Sequence, residues 1–129
     1  MKHPIVARAE RAAEWRAHLR ERCRRTDLLN PGRRILVAEV IDATAEHYRI
    51  TVAELLSKSR ERHVVRPRQV AMFLARRLTK RSYPIIGRAF NGMDHSTVLN
   101  GESVIESLMR TDPEMRETVE EIARRLVNG

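Results

Sequence analysis

An all-α domain is what this sequence predicts, and three observations carry the prediction. Only five of the 129 residues are aromatic (Trp15, Tyr48, Phe73, Tyr83 and Phe90) while 42% are hydrophobic, so aliphatic and Met side chains must build the core. That favours packed helices over a sheet. Apolar residues recur at i, i+4 and i+7, the spacing of one helix face. Helix-start signals, a hydroxyl or Asp followed by Pro or Glu, stand at the heads of several of these stripes. The length is that of a single domain, with one compact core.

Residues 1–30 read as a basic N-terminal helical extension and residues 31–129 as the domain proper. In the extension Ile5, Ala9, Ala12, Leu19 and Cys23 form a thin stripe on a helix over 5–25, and ten of residues 2–34 are Lys or Arg. Asn30-Pro31-Gly32 breaks it. From Arg33 to Tyr48 the series Val37, Ile41, Thr44, Tyr48, widened by Leu36 and Val40, predicts a core helix. Thr51-Val52-Ala53-Glu54 has the form of a capping box and predicts a short helix through Leu56.

The stretch Ser57 to Arg66 has no apolar period and reads as a basic loop. Pro67 then suits a first helical turn, where its missing N–H costs nothing. The helix it opens, to Thr79, turns Val70, Phe73, Leu74 and Leu78 inward and Arg68, Gln69, Arg76 and Lys80 outward. Tyr83-Pro84 opens a short helix through Phe90, with Ile85, Ile86 and Phe90 apolar, and Asn91-Gly92 tolerates a left-handed turn. Asp94 stands at an N-cap position before a helix from His95 to Arg110 that buries Val98, Gly101, Ile105 and Leu108. Two helices joined by a short Gly-containing turn form a helix-turn-helix. Asp112-Pro113 starts a last helix with Met115, Val119, Ile122 and Leu126 on one face.

The lone Cys23 excludes an intramolecular disulfide, and without CxxC or HExxH spacing no structural zinc is expected. Neither a membrane span nor the apolar core of a signal peptide is visible, so a cytoplasmic, nucleoid-associated protein is expected, with no cofactor. Charge is uneven. Residues 58–81 carry nine Lys or Arg against the single Glu61, whereas residues 102–127 carry four against seven acids. A patch of this kind attracts a polyanion such as nucleic acid; the competing account is a solvated helix face.

In a helix-turn-helix the first turn of the second helix meets base edges in the major groove, here Asp94, His95, Ser96 and Thr97. A plain cap followed by a solvated turn explains the same residues. Asp-His-Ser is not a catalytic triad, because consecutive helical residues project about 100° apart. Arg68 and Gln69 are of the types that read guanine and adenine, Arg60 and Arg62 suit a minor groove or phosphates, and Lys58, Arg76, Arg77 and Lys80 suit phosphates.

The run TVAELLSKSRERHVVRPRQVAMFLARRLTKRSYPIIGRAF (Thr51 to Phe90) followed by GMDHSTVLNG resembles the C-terminal DNA-binding domain, domain IV, of the bacterial chromosomal replication initiator DnaA. The resemblance covers about Arg34 to Arg125. It implies a compact multi-helix, TrpR-like helix-turn-helix that binds double-stranded DNA at DnaA boxes. By position it places Arg60 in the minor groove, and Arg68, Gln69, Asp94, His95 and Ser96 at bases with Thr97 beside them. Arg76, Tyr83 and Pro84 then lie along the phosphate backbone. Met93 stands where the family has Arg, and Asn100 where it has His. No GxxxxGK[ST] loop is present, so a stand-alone, non-enzymatic DNA binder is expected, acting in replication or transcription control. The alternative is an interaction module whose terminal helices, 5–25 and 113–127, dock full-length DnaA or another protein.

Overall fold

The computed structural model describes residues 34–128, and these form six helices in the order α1 Val37–Tyr48, α2 Val52–Leu55, α3 Arg62–Thr79, α4 Tyr83–Ala89, α5 His95–Thr111 and α6 Pro113–Asn128. The expected helix over 5–25, its Asn30-Pro31-Gly32 break and Cys23 lie outside the described residues.

Helix α1 starts at Val37, four residues later than the stripe predicts, and buries Val40, Ile41, Thr44 and Ala45. Leu36 does not widen that face. It is the N-cap residue, 51% exposed, with its own N–H donated to Glu39 Oε1 at 3.3 Å. The capping box at α2 forms as expected: Glu54 N–H donates to Thr51 Oγ1 (3.0 Å) and Thr51 N–H to Glu54 Oε1 (3.2 Å).

The largest departure from expectation is α3. It begins at Arg62, with Glu61 as N-cap, so Pro67 is its sixth residue and not part of its first turn. The Glu61 carbonyl accepts from Val64 N–H (2.9 Å) and Val65 N–H (2.8 Å), which closes the opening turn without Pro. Proline at 67 deprives the carbonyl of His63 of its helical donor, a tolerable loss because His63 is exposed to water. Residues 70–75, Val-Ala-Met-Phe-Leu-Ala, are all buried, so α3 is covered on every side over this stretch. It is the axis of the domain, packed against α1, α2, α4, α5 and α6.

With Phe73 of α3 itself, Leu55, Ile86, Phe90, Ile105 and Ile122 fill one continuous core. Ile85 is turned to solvent instead, 42% exposed. The apolar stripe of α6 (Val119, Ile122, Ala123, Leu126) is spent on this core, and Arg125 ties α6 to Glu46 of α1 at 3.1 Å. The stripe predicted for the last helix is thus part of the domain's own core. Asp112 Oδ1 accepts from Glu114 N–H at 3.0 Å, capping α6 as its sequence predicts.

Candidate nucleic-acid interface

The turn between α4 and α5 runs from Phe90 to Asp94. Ser82 caps α4, its Oγ accepting from Ile85 N–H at 3.4 Å, and Pro84 sits in the first turn. Asn91 (φ 63°) and Gly92 (φ 79°) take the left-handed conformation predicted for them. The sequence reading missed the role of Gly87. A Cβ there would stand 2.2 Å from the carbonyl oxygen of Met93, whose N–H donates to Gly87 O at 2.9 Å. The chain leaving the turn crosses directly over α4 at this point.

Asp94 is the N-cap of α5: Oδ1 accepts from Ser96 N–H at 3.4 Å, and the Asp94 carbonyl from Thr97 N–H at 3.0 Å. Its carboxyl is held below the ordinary aspartate range, first by the Ser96 backbone N–H and the Ser96 side chain, then by His95. His95 Nδ1 lies 3.1 Å from Asp94 Oδ1. Asp94, His95, Ser96 and Thr97 are all exposed, so this capped turn presents four short polar side chains to solvent.

Helix α5 lies across α3 at Gly101, where an added Cβ would meet Met72 Sδ at 3.0 Å and Gln69 Cγ at 3.5 Å. Farther along, Arg77 of α3 reaches Glu102 and Glu106 of α5, so the two helices run in the same general sense. Counting back from the Gln69–Gly101 crossing, the head of each helix lies roughly 10 Å along its own axis. The Lys58–Arg62 segment leads into α3, and the His95–Thr97 turn heads the helix that crosses it. Lys58, Arg60 and Arg62 are exposed; Arg62 is the first helical residue of α3 and not part of a flexible loop.

Two arginines are not where the helical spacing puts them. Arg68 is 7% exposed and points inward: Nε donates to the Leu55 carbonyl (3.0 Å), and Nη2 to those of Ser57 and, at 3.1 Å, Ser59. Burial lowers its pKa from the ordinary value, yet a guanidinium stays charged at neutral pH. The five-donor fork explains the burial: it satisfies carbonyls of a segment that has no helical partners for them. Arg77 was expected at phosphates and is likewise buried, its Nε donating to Glu102 Oε2 at 3.2 Å and its guanidinium 4.7 Å from the Phe73 ring centre.

Gln69 is half-buried, its Oε1 accepting from Arg66 Nη1 at 3.1 Å. Arg76 lies over the Tyr83 ring, 4.6 Å from its centre, and donates to the Arg81 carbonyl at 2.9 Å. Pro84 is exposed beside them. Arg76, Tyr83 and Pro84 thus form one edge where α3 ends and α4 begins.

A family model for the bacterial dnaA protein helix-turn-helix matches residues 37–105, more than half of the chain. The chain belongs to the bacterial DnaA helix-turn-helix family. The chromosomal replication initiator protein DnaA of Caulobacter sp. (strain K31) is 47% identical over 94 residues, covering 73% of this chain and 19% of that protein. That of Jannaschia sp. (strain CCS1) is 41% identical over 102 residues, 78% of this chain and 22% of the relative. The protein of the same name from Rhizobium meliloti (strain 1021) is 42% identical over 103 residues, again 78% of this chain and 21% of the relative. The chain therefore spans about a fifth of the length of these relatives.

As a DnaA helix-turn-helix the domain is a DNA-binding module, with α4 as the first helix of the motif and α5 as the second. Among the described residues no cluster of His, Cys, Asp and Glu could hold a metal ion, and no helix is long and apolar enough to cross a membrane. Beyond Gly87, the sequence reading also missed Glu102, 2% exposed within the second helix of the motif. Its signal was faint: one acidic residue among the predicted inward positions of α5.

Proposed function

We propose that this domain binds double-stranded DNA sequence-specifically at DnaA-box-like sites, and so influences replication initiation or transcription by occupying them. The observation that carries this reading is the exposed, capped first turn of α5, the second helix of the motif. That turn presents Asp94 to Thr97 to solvent, and Lys58, Arg60 and Arg62, which lead into the helix that α5 crosses at Gly101, are exposed as well.

In this reading the first turn of α5 enters the major groove. Asp94 accepts from a cytosine amine, His95 and Ser96 meet purine edges, and the Thr97 methyl packs on thymine. Gln69, beside Gly101, offers its amide to a base edge next to them. Arg60 enters the adjoining minor groove, where the potential is most negative. Lys58, Arg62, Arg76, Tyr83 and Pro84 follow the phosphates, which set register without reading sequence. Arg68 acts indirectly: bonded to three carbonyls of residues 55–59, it holds the segment that delivers Lys58 and Arg60.

The relatives are named as chromosomal replication initiators, and a domain that shares their boxes would compete with a full-length initiator for them. The test is fluorescence anisotropy with a duplex carrying a DnaA box and a scrambled duplex of equal composition at matched salt. Base readout is expected to give a preference of a hundredfold or more, within the range of specific binders. Equal, weak and steeply salt-dependent binding to both duplexes would leave a sequence-blind DNA coat.

A further inference from the structure

Glu102 is a buried carboxylate that the reading above does not use. It lies on α5 with both oxygens occupied: Oε2 accepts from Arg77 Nε of α3 at 3.2 Å, and Oε1 accepts from the Tyr83 hydroxyl of α4 at 2.6 Å. A buried carboxylate needs a cation and hydrogen bonds to offset its lost hydration, and Arg77 supplies the cation. The bond to Tyr83 has a different destination. Tyr83 is only half-buried, and its ring is the platform over which the Arg76 guanidinium lies at 4.6 Å. Arg76 is fixed a second time by the Arg81 carbonyl at 2.9 Å.

The series Arg77, Glu102, Tyr83, Arg76 thus crosses three helices and leads from the middle of the second helix of the motif to a cation at its edge. Burial, and then the bond to Glu102, push the Tyr83 hydroxyl above its ordinary pKa, so it stays a donor at neutral pH. Free arginine side chains lose substantial rotamer entropy when they bind a phosphate, and a guanidinium already held over an aromatic ring loses less.

We infer that Glu102 is a positioning residue for DNA binding: by holding the Tyr83 hydroxyl it sets the ring that carries Arg76, and keeps this phosphate-facing edge in register with the first turn of α5. The inference rests on the DNA-binding reading and adds to it a residue that never touches DNA.

A double-substitution cycle on the full chain tests it, with affinity read on both the box duplex and the scrambled duplex. Tyr83→Phe keeps the ring and removes the hydroxyl. It is expected to weaken both duplexes by the same factor, roughly two- to tenfold, the worth of one hydrogen bond. In an Arg76→Ala background the same Tyr83→Phe change is expected to have no further effect, because nothing remains for the ring to position. Glu102→Gln retains a carbonyl acceptor for the hydroxyl and is expected to bind more tightly than Glu102→Ala. A merely structural role, or a direct contact of the Tyr83 hydroxyl with a phosphate, predicts the contrary: Tyr83→Phe either leaves affinity unchanged or weakens it equally with and without Arg76, and either result overturns the inference. Should Glu102→Ala fail to fold, the Tyr83 and Arg76 cycle still decides. Failure of the sequence-specific reading is a separate result, equal binding of the unsubstituted chain to the two duplexes, and leaves the cycle readable on either one.

Discussion

Gly87 and Met93 share a space that holds only one of them: the carbonyl oxygen of Met93 lies 2.2 Å from where a Cβ on residue 87 would stand. The obstacle is backbone, not a flexible side chain, so an added methyl group must push the turn away from α4. Gly87→Ala is expected to destabilise the domain by about 1–3 kcal/mol, the usual cost of overpacking. For a domain of this size that lowers the thermal midpoint by several degrees in a melting curve. DNA affinity should fall along with it, because the displaced segment leads straight into Asp94.

Arg68 offers a sharper test of how the basic segment is held. Arg68→Ala strands the carbonyls of Leu55, Ser57 and Ser59 and is expected to cost about 1–3 kcal/mol for the buried acceptors. Trypsin should then cut at Lys58, Arg60 and Arg62 faster than global unfolding allows. Arg68→Lys should restore only part of the protection, since an ammonium is a point charge and does not reproduce the planar fork. Unchanged cleavage in Arg68→Ala would count against the clamp.

Asp94 combines a structural and a reading role that two substitutions separate. Asp94→Ala removes the cap and is expected to lower the thermal midpoint, whereas Asp94→Asn keeps a cap and should remain close to the unsubstituted stability. If Asp94 also reads a base, the Asn form should still lose preference for the box duplex. The acid dependence follows from its lowered carboxyl pKa. Below the ordinary aspartate pKa of about 3.9 the unfolded chain takes up the proton first, so the cap's contribution is complete above that value. It is lost as pH falls through the lower folded value. Melting curves at acid pH should show that loss for the native chain and not for Asp94→Asn.

Arg76 and Arg77 are neighbours in sequence with opposite tasks. Arg76→Ala should leave stability nearly unchanged and reduce the salt slope of binding by about 1, as expected for one lost phosphate contact. Arg77→Ala leaves Glu102 and Glu106 without the cation between them and is expected to cost about 3–5 kcal/mol, measured by denaturant unfolding. Where the Arg77 variant still folds, its salt slope should match that of the native chain.

These pairs show why some of the interface was legible and some was not. The caps at Thr51, Asp94 and Asp112 and the left-handed Asn91-Gly92 turn depend on residues within a few positions of one another, and each formed as the local sequence predicts. The start of α3 was missed because Pro67 is a strong signal for a first turn, while the observed start relies on the unremarkable Glu61 carbonyl. Leu36 was placed on the core face by its apolar character, yet it is the N-cap of α1 and stays 51% exposed.

By itself the sequence determined the all-helical class, the order of the helices in residues 34–128, the helix-turn-helix and its family, since these rest on periodicity, local hydrogen bonds and a matching run of residues. Only the tertiary structure decided which cations are available to a ligand. Arg68 and Arg77 have the same charge and the same helix as Arg76. They are taken out of solvent by carbonyls at 55–59 and by carboxylates at 102 and 106, partners that lie 9 to 29 positions away. Helical periodicity assigns a residue to a face; whether that face meets water, another helix or a set of unpaired carbonyls depends on contacts that form only when the chain is folded.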